Sequence, residues 1–227
     1  AVCFAVVLLL ASAFVEQGPE EAGQMLPGGG RDMSWREMLC QKKFYGMCAM
    51  LLCGGLSGMM VISSASDMAQ VEAGFSPAAA ALMVSVLSLF NAGGRASAGI
   101  LSDKLGRIGT LSLVFPISVA ALCALFSFGQ DSMAVFAVSI ALVGACFGAL
   151  MGIFPGFTAD EFGQRNNTVN YGILFFGFAL SGMLGPQVAS WVMSGTGSYR
   201  SAFLIAAVVA LAGFALTFLH RRLAARS

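Results

Sequence analysis

The chain has 227 residues, of which 58% are hydrophobic and 10% are charged, and its formal net charge at pH 7 is +1. A soluble surface needs roughly a quarter of its residues charged, so this composition excludes a water-soluble domain and indicates a polytopic membrane protein. Binding to nucleic acid requires clustered Lys and Arg on one exposed face, and the near-zero net charge gives no indication of such a partner.

The chain begins with an apolar run, AVCFAVVLLLASAFV, that lacks the basic segment of a secretory signal peptide. We interpret residues 1–15 as the end of a preceding transmembrane helix, and we expect the chain to be the C-terminal part of a longer protein. Residues 16–43 are polar and contain the stretch GQMLPGGG, which is typical of a flexible linker. Near the end of this linker, Ser34 precedes Glu37 by three residues, which predicts a capping box at the start of a short amphipathic helix.

Six apolar segments follow, each long enough to cross a hydrocarbon core about 30 Å thick, which requires about 20 residues. Residues 44–219 are therefore predicted to form an all-α bundle of six transmembrane helices, and residues 220–227 to form a basic tail. The predicted spans are Phe44 to Ala65, Pro77 to Leu101, Ile108 to Phe128, Ser132 to Phe154, Thr168 to Met193 and Ala202 to Leu219.

The basic residues are concentrated in alternate loops. The linker, the loops after the second and fourth spans and the tail contain ten Lys and Arg residues, whereas the opposite loops contain only Arg200. By the positive-inside rule, this asymmetry predicts that the linker and the tail are cytoplasmic.

The most specific motif is the loop GILSDKLGR between the second and third spans, from Gly99 to Arg107. A small Gly99 would allow a neighbouring helix to approach, Gly106 would permit a tight reversal, and Asp103 could meet a helix N-terminus or a basic partner. An ordinary charged loop that only fixes the topology is the alternative interpretation.

This loop resembles the cytoplasmic signature of the major facilitator superfamily, which occurs between the second and third helices and again between the eighth and ninth. The six spans would then be helices seven to twelve, the C-terminal half of that fold, and the missing N-terminal six-helix half would be their partner. The resemblance implies a membrane transporter and not an enzyme. It also implies a cytoplasmic gating loop, formed by Gly99, Asp103, Lys104, Gly106 and Arg107.

Further stretches resemble the oxalate/formate antiporter family, with the monocarboxylate carriers as the nearest rival. The resemblance implies exchange of small organic anions across a membrane, expected to be the plasma membrane, by alternating access. A proton-coupled monocarboxylate carrier, a non-transporting anion receptor on the same scaffold and a free-standing half that forms a homodimer remain alternatives. The stretches are Ser34 to Leu39, Gly58 to Ser63, Phe90 to Arg95, Phe162-Gly163 and Asn170 to Ile173.

Arg95 is the main candidate for contact with the anion. It precedes Asp103 by eight residues, which places it about 12 Å inside the helix end. A guanidinium at such depth costs about 2.5 to 3.5 kcal/mol, so it is expected to face a polar cavity, where its planar donors suit a carboxylate. A snorkelling arginine or an internal ion pair is the alternative. Its helical spacing predicts a shared face with Ser85, Ser88, Asn91 and Ser102, and we predict that Ser88 and Asn91 also bind the substrate.

The family resemblance implies a second cation, a lysine of the eleventh helix, in carriers of dicarboxylates. That position falls at about Phe178 in this chain, and the loss of the cation favours a monocarboxylate over oxalate. Tyr171, Asn170 and Gln187 are the remaining large polar groups of that helix. Tyr171, Phe178 and Gln187 are therefore the predicted substrate contacts from this helix, and interhelical hydrogen bonding is the alternative for the polar groups.

Small residues in the fourth and fifth spans predict close helix packing. Gly144, Gly148 and Gly152 recur every four residues and form one smooth stripe, with Pro155 after it. In the fifth span, Gly185-Pro186 and its small neighbours loosely resemble the glycine-proline antiporter motif of the fifth helix, as an internal repeat of two halves would give.

No cofactor or metal is predicted. The chain has no phosphate-binding glycine loop and no Cys-x-x-Cys pair, its six cysteines are expected to be reduced, and its single histidine, His220, is assigned to the tail. The middle of each predicted span also lacks Asp, Glu and His, so the sequence offers no proton carrier there.

Overall fold

The computed structural model describes residues 32–224, and within that range the secondary structure consists of nine helices without strands. The predictions for residues 1–15, for most of the linker and for residues 225–227 lie outside the described residues. The helices are α1 (Trp35–Leu39), α2 (Lys42–Ile62), α3 (Ala65–Ala73), α4 (Pro77–Leu105), α5 (Arg107–Phe128), α6 (Met133–Phe162), α7 (Asn167–Leu174), α8 (Phe176–Thr196) and α9 (Arg200–Ala224).

The six predicted spans are confirmed by length and composition. Helices α2, α4, α5, α6 and α9 and the continuous stretch Asn167–Thr196 are each long and apolar enough to cross a membrane. Several helices are longer than predicted; α6, for example, continues from the predicted end at Phe154 to Phe162. The added turns contain polar residues such as Asp160 and Glu161, and the helix there continues to satisfy its backbone hydrogen-bonding groups.

Two predicted spans are interrupted in the structure. The first ends at Ile62 instead of Ala65, because the chain turns at Ser63, whose hydroxyl donates to the Met59 carbonyl at 2.7 Å, before α3 begins. The fifth is divided at Phe175 into α7 and α8.

The predicted capping box is confirmed. The Ser34 side chain accepts from the Glu37 backbone N–H, and the Glu37 carboxylate accepts from the Ser34 N–H at 2.8 Å. At the start of α4, Ser76 accepts from the Ala79 N–H at 3.3 Å and Pro77 occupies the first helical position, where a missing N–H costs little.

The core lies around α6. This helix contacts α2, α4 and α5, while α2 also contacts α8 and α9. In an apolar stretch of 18 residues in α6, 61% is buried inside the bundle, against 17% in the corresponding stretch of α4. Helix α4 therefore packs along α6 and leaves most of the rest of its surface exposed among the described helices.

The assignment of His220 to a tail is wrong. Helix α9 continues through His220 to Ala224, and the imidazole is only 1% exposed. The adjacent Arg221 and Arg222 made this segment resemble a solvated tail, but one face of its last turn packs into the bundle.

Candidate functional site

Arg95 lies on an exposed part of α4, ten residues before the helix ends at Leu105. Among residues 32–224, every other Lys and Arg lies in a loop, in α1 or within four residues of a helix end. The described residues contain no hydrogen bond or ion pair to the Arg95 guanidinium; the ion pairs they do contain involve Lys43, Arg107 and His220. The structure therefore leaves this cation unneutralised by the part of the chain that it describes.

The predicted glycine stripe is confirmed, and it positions Arg95. A Cβ added at Gly148 or Gly152 would lie closer than 3.0 Å to the backbone oxygen of Asn91 or of Arg95, respectively. Gly94 of α4 faces the Ala145 backbone of α6 equally closely. Because these approaches join backbone to backbone, they fix the position of Arg95 along and around α6.

The predicted polar face of α4 is only partly present. Ser88 is exposed and Asn91 is half-buried beside Arg95, and the Ser88 hydroxyl donates to the Val84 carbonyl at 2.8 Å. Ser102 departs from the prediction, since it is buried and its hydroxyl accepts from Arg107 and donates to the Gly99 carbonyl. Ser102 thus belongs to the contact at the end of α4.

The structure brings Tyr171 of α7 into electrostatic range of Arg95. From Tyr171, a row of aromatic rings continues through Phe175 and Phe178 to Phe147 of α6. The successive ring centroids are 5.5, 4.7 and 5.9 Å apart. Gln187 lies nine residues beyond Phe178, about 13 Å further along α8, and is exposed. Arg95, Asn91, Tyr171 and Phe178 thus lie in one region of the bundle, and their contact with a substrate stays a prediction.

Asn170 makes a structural contact. It is buried, and its amide donates to the Met33 carbonyl at 3.1 Å, as does the Asn166 amide at 3.1 Å. The backbone N–H of Met33 in turn donates to the Phe162 carbonyl at 2.9 Å. The end of the linker is thereby attached to the turn that precedes α7.

The segment GILSDKLGR, predicted as a loop, is helical except at Gly106, which joins α4 to α5, and its contacts are organised by Arg107. Gly106 has a φ of 76°, the conformation its glycine was predicted to provide. The Arg107 guanidinium donates to Asp103 at 3.0 Å, to Asp160 of α6 at 2.9 Å and to Ser102. The prediction that Asp103 meets a basic partner is confirmed. No described residue comes within 4 Å of a Cβ placed at Gly99, and Lys104 is exposed.

Sequence reasoning missed a second charged cluster at this end of the bundle. Glu161 lies 3.2 Å from the Lys43 ammonium and 3.5 Å from His220 Nε2, which joins α2, α6 and α9. Two consecutive acids, Asp160 and Glu161, at the end of an apolar span were the available signal. We call the end of the bundle that contains Lys43, Arg107, Glu161 and His220 the linker-side end.

A buried carboxylate was also missed at the other end. Glu72 of α3 is 6% exposed and accepts from Ser198, Tyr199 and Gln130. Burial raises the pKa of the Tyr199 phenol above its ordinary value, and the Asp67 carboxylate acts in the same direction. Within residues 32–224, no cluster of His, Cys, Asp and Glu could hold a metal ion.

Six membrane-spanning helices around a glycine-packed core, with one cation exposed in the interior of a span, define an integral, multi-pass membrane protein with a partly open helix face. Residues 1–186 match the profile of the Major Facilitator Superfamily. The chain therefore belongs to this family, whose members are membrane transporters and not enzymes.

Three curated relatives differ in how much of the chain they match. "Uncharacterized MFS-type transporter YhjX" of Escherichia coli (strain K12) is 33% identical over 66% of the chain and 37% of its own length. "Oxalate:formate antiporter" of Oxalobacter formigenes is 26% identical over 96% of the chain and 52% of its own length. "Monocarboxylate transporter 12" of Xenopus laevis is 27% identical over 65% of the chain and 31% of its own length. The chain thus spans between about a third and about half of these relatives.

Proposed function

We propose that this chain is the C-terminal half of a secondary active transporter that exchanges small organic anions by alternating access. The observation that carries the proposal is Arg95, a cation in the interior of a span that no acid among residues 32–224 neutralises. A charge in that position is costly, so it is expected to face a polar pathway and to have a ligand.

A carboxylate fits this site best. The guanidinium offers two parallel N–H groups that match the two oxygens of a carboxylate. The Tyr171 hydroxyl and the Asn91 amide are further hydrogen-bonding groups that the sequence predicted for this site. Two relatives with partial coverage are named for carboxylate transport, the oxalate:formate antiporter and monocarboxylate transporter 12.

A monocarboxylate suits the site better than oxalate. The helix pair α7 and α8 contains no Lys or Arg, and Phe178 lies in the row of aromatic rings at the position where the resembled carriers of dicarboxylates have a lysine. A single cation balances one negative charge, and the aromatic rings favour an anion with a small apolar group.

The other half of the pathway would come from an N-terminal six-helix half. Helix α4 is the least buried span. The chain also covers about half of the length of the antiporter relative and a smaller share of the other two relatives. We propose that the linker-side end is cytoplasmic, because the basic residues are concentrated there. The segment Asp103 to Arg107, which the contacts of Arg107 with Asp103 and Asp160 hold in place, would then help to close that side against the other half in one state, and anion binding would select the occluded state.

The test is uptake of radiolabelled formate, lactate and oxalate by the purified full-length protein in proteoliposomes loaded with unlabelled anion. We expect Arg95→Gln to lower kcat/KM on the order of 100-fold, since it removes a charge-assisted pair of hydrogen bonds. Arg95→Lys, which keeps the charge but not the planar donors, should retain part of the activity. Arg165→Gln is the matched control, because Arg165 is exposed in a loop and uses only its backbone N–H to contact Asp32.

Unchanged uptake in Arg95→Gln would contradict the role of Arg95. Uptake that needs no internal anion but follows a proton gradient would favour the proton-coupled carrier. Saturable binding without exchange would instead support the anion receptor.

A further inference from the structure

The imidazole of His220 is enclosed at the linker-side end. It is the single histidine of the sequence and is 1% exposed. Its ring lies against the Phe157 ring of α6 with a centroid separation of 5.2 Å and an interplanar angle of 68°. A titratable side chain in such surroundings is costly unless its polar atoms have partners or a task.

One ring nitrogen has a partner and the other does not. Nε2 lies 3.5 Å from Glu161 Oε1, and because a carboxylate only accepts, the neutral imidazole must carry its hydrogen on Nε2. Nδ1 then holds a free lone pair. Nδ1 is buried without a hydrogen bond from any described residue and faces Gly46 of α2, where an added Cβ would lie 3.7 Å away. The atom that can accept a proton is thus the one that lacks a donor.

Charged groups of both signs surround His220, and the one in contact with the ring is the Glu161 carboxylate. Glu161 and Asp160 of α6 are the nearest acids, with Asp103 of α4 beyond Arg107. These three carboxylates face two cations, Lys43 of α2 and Arg107 of α5, while Arg221 of α9 is exposed to solvent. The contact with the Glu161 carboxylate is therefore what would stabilise a proton on His220.

The imidazole also borders a cavity that can hold water. A cavity of about 450 Å³ opens at the linker-side end, and its wall includes Gly106, Arg107, Asp160, Glu161, His220 and Arg221. Polar groups of this kind can hold water that carries protons from the aqueous phase to a buried ring.

We propose that His220 and Glu161 form a proton-binding site that regulates transport. A hydronium ion of the aqueous phase gives a proton to the Nδ1 lone pair, its O–H bond breaks to leave water, and the product is an imidazolium paired with the Glu161 carboxylate. The hydrogen bond between α9 and α6 becomes an ion pair, which strengthens the junction of α2, α6 and α9. The regulatory part rests on the proposed transport function; proton binding itself does not.

Proton binding is tested by NMR of the full-length protein labelled with ¹⁵N in its histidine rings. His220→Gln, or His220→Asn if the first variant is unstable, identifies the His220 resonances by their loss. We expect these resonances to change from neutral imidazole to imidazolium between pH 8 and pH 5. In Glu161→Gln the same change should need a more acidic solution, since the imidazolium has lost its carboxylate partner. The control Asp131→Asn, at the opposite end of the bundle, should leave the midpoint unchanged. A ring that stays neutral throughout, or an unchanged midpoint in Glu161→Gln, would overturn the proposal.

Regulation is tested by the pH profile of anion exchange in proteoliposomes. We expect His220→Gln to remove most of the change in rate between pH 5 and pH 8 while KM changes less than about twofold, because the site is remote from Arg95. A pH profile identical to that of the unmodified protein would overturn the regulatory role. Absence of exchange in the unmodified protein at every pH would refute the proposed function, and the NMR titration would still decide the proton site.

Discussion

At the scale of single residues, the carboxylate of Glu72 holds three segments together at the end of the bundle opposite the linker. It belongs to α3, while its donors Gln130, Ser198 and Tyr199 lie in the loops before α6 and α9. Glu72→Ala would leave these donors without their acceptor, so we expect it to lower the free energy of unfolding by about 2 kcal/mol or more. The measurement is the thermal unfolding midpoint of the full-length protein in detergent.

Asp131→Ala is the control for Glu72, because Asp131 is also an acid at this end but is exposed. Its midpoint should stay close to that of the unmodified protein. Equal midpoints for Glu72→Ala and Asp131→Ala would show that Glu72 does not hold the loops together.

At the scale of helices, the contact between α4 and α6 determines where Arg95 lies. Gly148→Ala would place a methyl group where the Asn91 backbone oxygen now lies, so the two helices must separate. We expect a loss of about 2 kcal/mol or more in stability, and a fall in kcat/KM because Arg95 is displaced with its helix. Thermal unfolding and anion exchange measure the two effects.

Gly195→Ala in α8 is the matched control, since no described residue comes within 4 Å of its added Cβ. It should unfold at or slightly above the temperature of the unmodified protein, because Ala favours a helix more than Gly does. If Gly148→Ala behaved in the same way, the backbone contact would not position Arg95.

The positions of the helices and of the glycine stripe were predictable from the sequence, because both depend on local patterns of residues along the chain. Apolar length gave the six spans, and four-residue spacing gave the close-packing stripe that contains Gly148, although its partner α4 is known only from the structure. The partners of Glu161 and Glu72 were not predictable, because they are distant along the chain and depend on how the helices pack. His220, for example, lies 59 residues from Glu161, and only the fold shows that the buried imidazole lies beside the Glu161 carboxylate.

At the scale of the whole molecule, polar contacts join the helices at both ends of the bundle, while the face of α4 that carries Arg95 between these ends is exposed. Ion pairs join the helices at the linker-side end and Glu72 joins the loops at the other, whereas Arg95 between them has no partner among the described residues. Such an arrangement suits a rigid half that moves as one body against a second half, with the anion between them.

This arrangement predicts that neither half transports alone. Lipid cannot solvate the guanidinium of Arg95, so the exposed face of α4 should need the N-terminal half to complete a polar pathway. We expect that cutting the full-length gene within the polar segment 16–31 and co-expressing both products restores anion exchange in vesicles, while each product alone gives none. The matched control is the same pair with Arg95→Gln, which should assemble equally well by co-purification but not exchange. Exchange by the C-terminal product alone, together with its purification as a dimer, would instead show that two copies of this half form the pathway.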